Sequence, residues 1–298
     1  MAQTSNINLS GLGVALVTPF KADKSIDYTA LSNLVEHLIA SSCDYLVVLG
    51  TTAETPTLSA EEKAAVKEFI KKQNNGRVPL ILGMGGNNTM ALAQEIRESD
   101  LSGFDAILSV VPYYNKPSQE GIYQHYKTIA EASPLPVILY NVPGRTGVNM
   151  SAETTLRLAK DFDNIVAIKE ASGNLKQIEE IIHNKPASFQ VISGDDGITF
   201  PLLTLGAVGV ISVIGNAYPK EFGEMVRLCR QGEYDKARHI HDTFGKLFEL
   251  LFIDGNPAGV KCALNALGKI ENELRLPLVP TRMDTNEKIH AIINSIHV

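Results

Sequence analysis

The sequence predicts an α/β protein, a (β/α)8 TIM barrel with a C-terminal helical domain. Three observations carry this: eight short apolar runs, a longer periodic segment after each run, and the end of that alternation after Arg230. The runs cover residues 13–20, 45–50, 79–85, 106–113, 136–142, 165–170, 189–194 and 209–214. Each is nearly continuous in hydrophobic residues, as parallel strands are when helices cover the sheet.

The helix-like segments between them span 27–41, 60–73, 89–101, 119–132, 152–160, 175–184, 198–205 and 219–230. In the first, Leu31, Leu34, Val35, Leu38 and Ile39 fall at the three-four spacing of one buried helix face. Ser59 with Glu62 forms a capping-box pattern, and Ser118 and Ser151 stand at two further helix starts. Beyond Arg230 only helical patterns remain, at 233–251, 257–267 and 286–296, with Pro277 and Pro280 marking the loop before the last. The chain therefore divides into a barrel, 1–230, and an appended helical domain, 231–298. A doubly wound open sheet is the competing architecture. It usually has fewer strands, and its glycine fingerprint is missing after the first run; Gly83-Met84-Gly85-Gly86 lacks the spacing.

Composition narrows the partners. The chain has 298 residues with 27 Lys and Arg against 33 Asp and Glu, a net charge of −6, and no basic block. That disfavours nucleic acid or an anionic membrane surface as the main partner. Cys43, Cys229 and Cys262 are far apart, so reduced thiols and a cytoplasmic location are expected. No stretch approaches the ~20 apolar residues of a membrane span, and the polar start, 1–9, lacks a leader core. The histidines show no ligand spacing; His239 and His241 fall on different helix faces. No metal and no cofactor is expected.

Barrel active sites gather where the strands end. The sixth run ends in Lys169-Glu170, an amine at the edge of an apolar strand. Burying an ammonium is costly, and loss of the proton is the usual escape. A free lysine with a pKa of ~10.4 is neutral in only about four molecules in ten thousand at pH 7. A desolvated one is a nucleophile that forms Schiff bases with ketones. The residue alone equally fits a lysine with its head in water or beside a carboxylate. Ile165, Ala167 and Lys169 share one strand face, and alternation leaves open whether it points inward.

Other strand ends are polar too. Gly50-Thr51-Thr52 offers N–H groups and hydroxyls to an anion, or a simple turn. Pro112-Tyr113-Tyr114-Asn115 ends the fourth run. Tyr140, near the end of the fifth, neighbours Lys169, and a phenol beside an amine can move the protons of imine formation. Arg145, after Pro143-Gly144, is a surface charge or a bidentate carboxylate clamp. Asp195-Asp196 reads as a helix cap supplied by Asp196 rather than a metal site.

Five segments, Gly50-Thr51-Thr52-x-Glu54, Pro112-Tyr113-Tyr114-Asn115-x-Pro117, Tyr140-Asn141-Val142-Pro143-x-Arg145-Thr146-Gly147, Lys169-Glu170-Ala171-Ser172-Gly173-Asn174 and Gly194-Asp195-Asp196, occur in this order. With them the chain closely resembles the 4-hydroxy-tetrahydrodipicolinate (dihydrodipicolinate) synthase family of pyruvate-dependent class I aldolases, over nearly its whole length. The lysine and the Tyr-x-x-Pro segment are shared with N-acetylneuraminate lyases and keto-deoxy-sugar aldolases; the paired tyrosines and Arg145 in its Arg-Thr-Gly context are more specific. The resemblance implies that Lys169 forms an imine with pyruvate and that the derived enamine attacks L-aspartate 4-semialdehyde. It implies Tyr140 as acid/base with Thr51 and Tyr114 in a proton relay, and Thr51 and Thr52 on the pyruvate carboxylate. Arg145 would take the semialdehyde carboxylate, and Gly194 and the Ile211 carbonyl would line the pyruvate site. It further implies a homotetramer, a dimer of dimers in which Tyr114 reaches the neighbouring subunit's site.

Two departures stand out. Ala53 replaces a glycine usual in the threonine motif, with little effect expected from one methyl group. In lysine-inhibited members of the family a glutamate and histidines hold the effector; by motif offset those positions are Ala91, Ala60 and Lys63 here, while Asn87 and Tyr113 match. Weak or absent lysine inhibition is the expectation. A sister keto-sugar-acid lyase, a non-catalytic pyruvate-responsive binder and, lower, a phosphate-binding isomerase using Gly206, Gly209 and Gly215 are the competing functions.

Overall fold

The computed structural model describes residues 7–296; most of the polar start, 1–9, lies outside the described residues. Eight parallel strands are ordered β1 to β8 in a closed barrel, as the alternation predicts. They are β1 Gly11–Ala15, β2 Tyr45–Val48, β3 Leu80–Gly83, β4 Ala106–Val110, β5 Val137–Asn141, β6 Ile165–Glu170, β7 Gln190–Ser193 and β8 Gly209–Ser212. The helices are α1 Tyr28–Ala40, α2 Ala60–Asn74, α3 Thr89–Glu98, α4 Gln119–Ala132, α5 Pro143–Thr146, α6 Ala152–Asp161, α7 Leu175–Asn184, α8 Thr199–Leu205, α9 Pro219–Arg230, α10 Tyr234–Ile253, α11 Ala258–Ala266 and α12 Met283–Ser295.

Several apolar runs outlast their strands, for local reasons. The first leaves the ladder after Ala15: the Val17 N–H donates to Asn216 Oδ1 at 3.2 Å, and Pro19 has no N–H to give. The second ends at Val48 because Leu49 turns left-handed, with φ 56°. The fourth ends at Val110: the Val111 N–H still donates to Tyr140 O at 3.0 Å, and Pro112 has no N–H to extend the ladder. These overruns become the loops that carry polar groups. The helix starts follow the capping logic. Ser59 and Glu62 form the reciprocal capping box at α2, and the Ser118 and Ser151 side chains accept from Gly121 and Thr154 N–H groups. The sequence reading did not include the four-residue α5, which Pro143 starts and Gly147 ends at φ 73°.

The chain packs as two compact units. One comprises Pro79–Ile211 with residues 7–10. Its β3-to-β8 segment pairs strand on sequential strand, and Ile81, Ile107, Ile138, Ile168, Val191 and Val210 are buried in it. The other comprises Gly11–Val78 and residues 212–296. There β1 pairs with β2, and a Cβ on Gly13 would lie 2.1 Å from the Tyr45 ring, so only glycine fits. Phe222 of α9 meets Phe248 of α10 edge-on at 5.8 Å. No helix of the described residues is long and apolar enough to cross a membrane.

Candidate active site

The inner face of β6 is settled by its last residue. The Glu170 side chain accepts from Gln177 Nε2 of α7, so it faces the helix layer. Lys169, one residue earlier, faces the opposite way. Lys169 is only 5% exposed, and its cross-strand partners are Tyr140 of β5 and Ile192 of β7. Its Nζ stands 4.3 Å from the centre of the buried Tyr140 ring. An amine and a phenol ring thus share one buried position on adjacent strands.

Room for the lysine depends on Gly194, which follows β7. A Cβ there would lie 2.8 Å from Ala171 Cβ, 3.1 Å from the Glu170 carbonyl oxygen and 3.1 Å from Lys169 Cε. Backbone hydrogen bonds hold this junction: Gly194 N–H donates to Glu170 O at 2.8 Å and Ala171 N–H to Asn141 O at 2.9 Å. Ile211 is buried within β8.

Arg145 sits on α5, exposed, in the loop that follows β5. Tyr114 is 87% exposed with φ 73°, and its N–H donates to Thr146 O of that loop at 3.3 Å. In the other unit, Thr51–Ala53 forms one 3₁₀ turn entered from extended Gly50. Thr51 is exposed and Thr52 buried. The left-handed residue of this loop is Glu54, with φ 55°, while Ala53 lies in the right-handed turn, so alanine fits there without strain.

The cap after β7 differs from the expectation. Asp195, not Asp196, is the capping residue, its Oδ1 accepting from Gly197 N–H at 2.9 Å. A tight turn, Asp196–Ile198, begins two residues before the helical pattern and brings the Asp195 carboxylate round to the Gly197 N–H.

A profile of the dihydrodipicolinate synthetase family matches residues 8–296. The chain belongs to the dihydrodipicolinate synthetase family. It is 63% identical over 294 residues to a 4-hydroxy-tetrahydrodipicolinate synthase of Parabacteroides distasonis, covering 99% of both chains. Among solved structures it is similar to dihydrodipicolinate synthase from Aquifex aeolicus, at 43% identity and TM-score 0.92, covering 96% of this chain and 98% of that one. It is also similar to the chloride-inhibited Acinetobacter baumannii enzyme complexed with pyruvate, at 41% identity and TM-score 0.93, covering 96% and 98%.

Within this family member, sequence reasoning missed the supports of the motif residues. Asn256 Nδ2 donates to the buried Thr52 Oγ1 at 3.0 Å across 204 positions, and no local pattern could reveal it. Glu54 of the threonine motif forms a buried ion pair with Lys261 of α11 at 2.5 Å and accepts from Arg275 N–H at 3.0 Å. Burial, partly offset by Glu54, pulls the Lys261 ammonium down to about 8. A hint existed for Glu54, a carboxylate fixed in a quoted motif with no chemical task.

Proposed function

We propose that this enzyme condenses pyruvate with L-aspartate 4-semialdehyde to give 4-hydroxy-tetrahydrodipicolinate through a Schiff base on Lys169. The observation that carries this reading is the buried Lys169 amine 4.3 Å from the ring of Tyr140, its cross-strand partner. The names of the relatives favour it over a keto-sugar lyase.

The Lys169 amine, as the free base, attacks the ketone carbon of pyruvate; one proton taken up at the departing hydroxyl lets it leave as water and gives a cationic imine. That cation withdraws electrons from the adjacent methyl group, which gives up a proton and becomes the enamine carbon. The carbon attacks the semialdehyde's aldehyde, and the new alkoxide takes a proton. The semialdehyde's own amine then attacks the imine carbon, expels Lys169 as free amine and closes the ring. Each step moves a proton within reach of one phenol, the role given to Tyr140, with Thr51 and Tyr114 as its relay. Thr51 and Thr52 hold the pyruvate carboxylate. An exposed and a buried hydroxyl at the start of a helical turn suit that role, since the first N–H groups of a turn have no partner within it. Gly194 gives the imine its space, and the Ile211 carbonyl completes the pyruvate site. Arg145 takes the semialdehyde carboxylate by a bidentate contact.

The exposure of Tyr114 supports its reaching a second subunit, with a dimer as the smallest active unit and a dimer of dimers as the assembly. A cytoplasmic location suits a biosynthetic enzyme whose three cysteines are buried and free. Borohydride reduction in the presence of pyruvate tests the reading. The expected result is one stable adduct on Lys169, lost in Lys169→Ala, with turnover of the semialdehyde in the unreduced protein. An unmodified wild-type protein would remove the Schiff base from the mechanism.

A further inference from the structure

The mechanism gives no task to Glu170, although it stands next to the imine lysine and is fully buried. Its carboxylate takes only neutral partners. Oε1 accepts from Ser172 N–H at 2.8 Å and from Asn141 Nδ2 at 3.2 Å; Oε2 accepts from Asn141 Nδ2 at 3.1 Å and from Gln177 Nε2 at 3.1 Å. Burial pushes this carboxyl upward against those bonds, so the site holds a carboxylate at an energetic cost. Those same partners reach further. Asn141 Nδ2 also donates to Asn149 Oδ1 at 2.9 Å and Met150 O at 3.3 Å, while Asn141 Oδ1 accepts from Met150 N–H at 3.0 Å. Gln177 Nε2 donates to Met150 O at 3.2 Å, and Gln177 Oε1 accepts from Asn149 Nδ2 at 2.8 Å.

These bonds share one geometry. Asn141 is the last residue before the β5–α6 loop, and Asn149 and Met150 are its return. Glu170 therefore clips both feet of a loop whose crest carries Arg145 and whose Thr146 carbonyl receives the Tyr114 N–H at 3.3 Å. Because strand neighbours face opposite ways, the clip acts on the loop and not on the lysine.

We propose that Glu170 is a positioning residue for the second substrate: by fixing both feet of the 142–150 loop through Asn141 and Gln177, it sets where Arg145 and Tyr114 stand when the semialdehyde binds. This rests on the functional reading above. A carboxylate suits the task because it is acceptor-only, so every N–H aimed at it is satisfied without a choice of orientation.

The test is Glu170→Gln, which keeps the shape but must point an NH2 at either Ser172 N–H or Gln177. Borohydride trapping with pyruvate should proceed at the wild-type rate, while KM for the semialdehyde rises roughly tenfold and KM for pyruvate stays within about twofold. Asn149→Ala, at an exposed foot of the loop, should reproduce the split in KM without touching the buried carboxylate. Equal changes in both KM values, slower trapping, or no effect from either single variant would overturn the proposal. A wild-type protein that forms no pyruvate adduct would instead overturn the functional reading itself.

Discussion

Replacing Gly194 by alanine puts a methyl group where β6 and β7 meet beside the imine lysine. The new Cβ would lie 2.8 Å from Ala171 Cβ, about 0.6 Å inside the 3.4 Å at which ordinary contact begins, and 3.1 Å from Lys169 Cε. Two of its three near neighbours belong to the backbone or lie directly on it, Glu170 O and Ala171 Cβ, so they yield only if the strand ends move apart. The hydrogen bond from Gly194 N–H to Glu170 O, 2.8 Å long, resists that movement. The softest neighbour is the lysine chain, and the strain should go there. Overpacking of this kind costs about 1–3 kcal/mol of stability, and a reacting group displaced by ~1 Å loses up to ~100-fold in rate. A displacement of a few tenths of an ångström to ~0.6 Å then predicts a loss of roughly 4- to 16-fold in kcat/KM for both substrates. The melting temperature should fall by only a few degrees. Steady-state kinetics, the rate of borohydride trapping with pyruvate and a thermal melt measure all three. Trapping and turnover within twofold of wild type, in a folded variant, would show that Gly194 does not shape the lysine's position.

Three other outcomes are expected. Asn256→Ala removes the donor to Thr52 Oγ1 and should cost about 1–3 kcal/mol in a denaturant melt while raising KM for pyruvate severalfold; a pyruvate titration with unchanged KM would remove Thr52's orientation from the account. Burial lowers the His125 imidazole to about 4 from an ordinary value near 6.5, its Nδ1 paired with Thr89 Oγ1 at 2.8 Å. The unfolded chain therefore binds a proton that the folded one refuses between those values. The resulting contribution, up to about 3 kcal/mol, is present above pH ~6.5 and is lost as pH falls towards ~4, so urea midpoints across that range should flatten in His125→Gln. Lysine should not inhibit at sub-millimolar concentration, because by motif offset the position of the glutamate that would hold its ammonium is Ala91 and Lys63 would add a like charge; a dose–response curve with strong inhibition there would refute this.

The parts of this protein that were legible in the sequence share a physical property: they are local. A parallel strand under helices is a short apolar run, and Ile165–Glu170 and Val137–Asn141 could be read from a few residues each. Capping is local as well, since Ser59 and Glu62 satisfy N–H groups three residues apart. Strand order then turned two local readings into a pair, because consecutive strands of a parallel barrel are neighbours, and Tyr140 and Lys169 are cross-strand partners in the register observed. Strand ends were less legible, since Leu49 is as apolar as the ladder it has left; what stops the strand there is a backbone angle.

Positioning was not legible, and for a different reason. Asn256 meets Thr52 across 204 positions, Lys261 meets Glu54, and Gln177 meets Glu170, and each contact is specified by the fold rather than by spacing. Such groups are buried and polar, so each must find a partner, but the sequence does not say which one. Even so, Glu54 and Glu170 left a trace. Each stands inside a motif whose chemistry uses its neighbours, Thr51 and Thr52 in one case and Lys169 in the other, and each is a carboxylate with no obvious substrate. A charge carried in a catalytic motif but given no chemical step is best explained as a support for the residues that have one, since burying it without such a return would only cost stability.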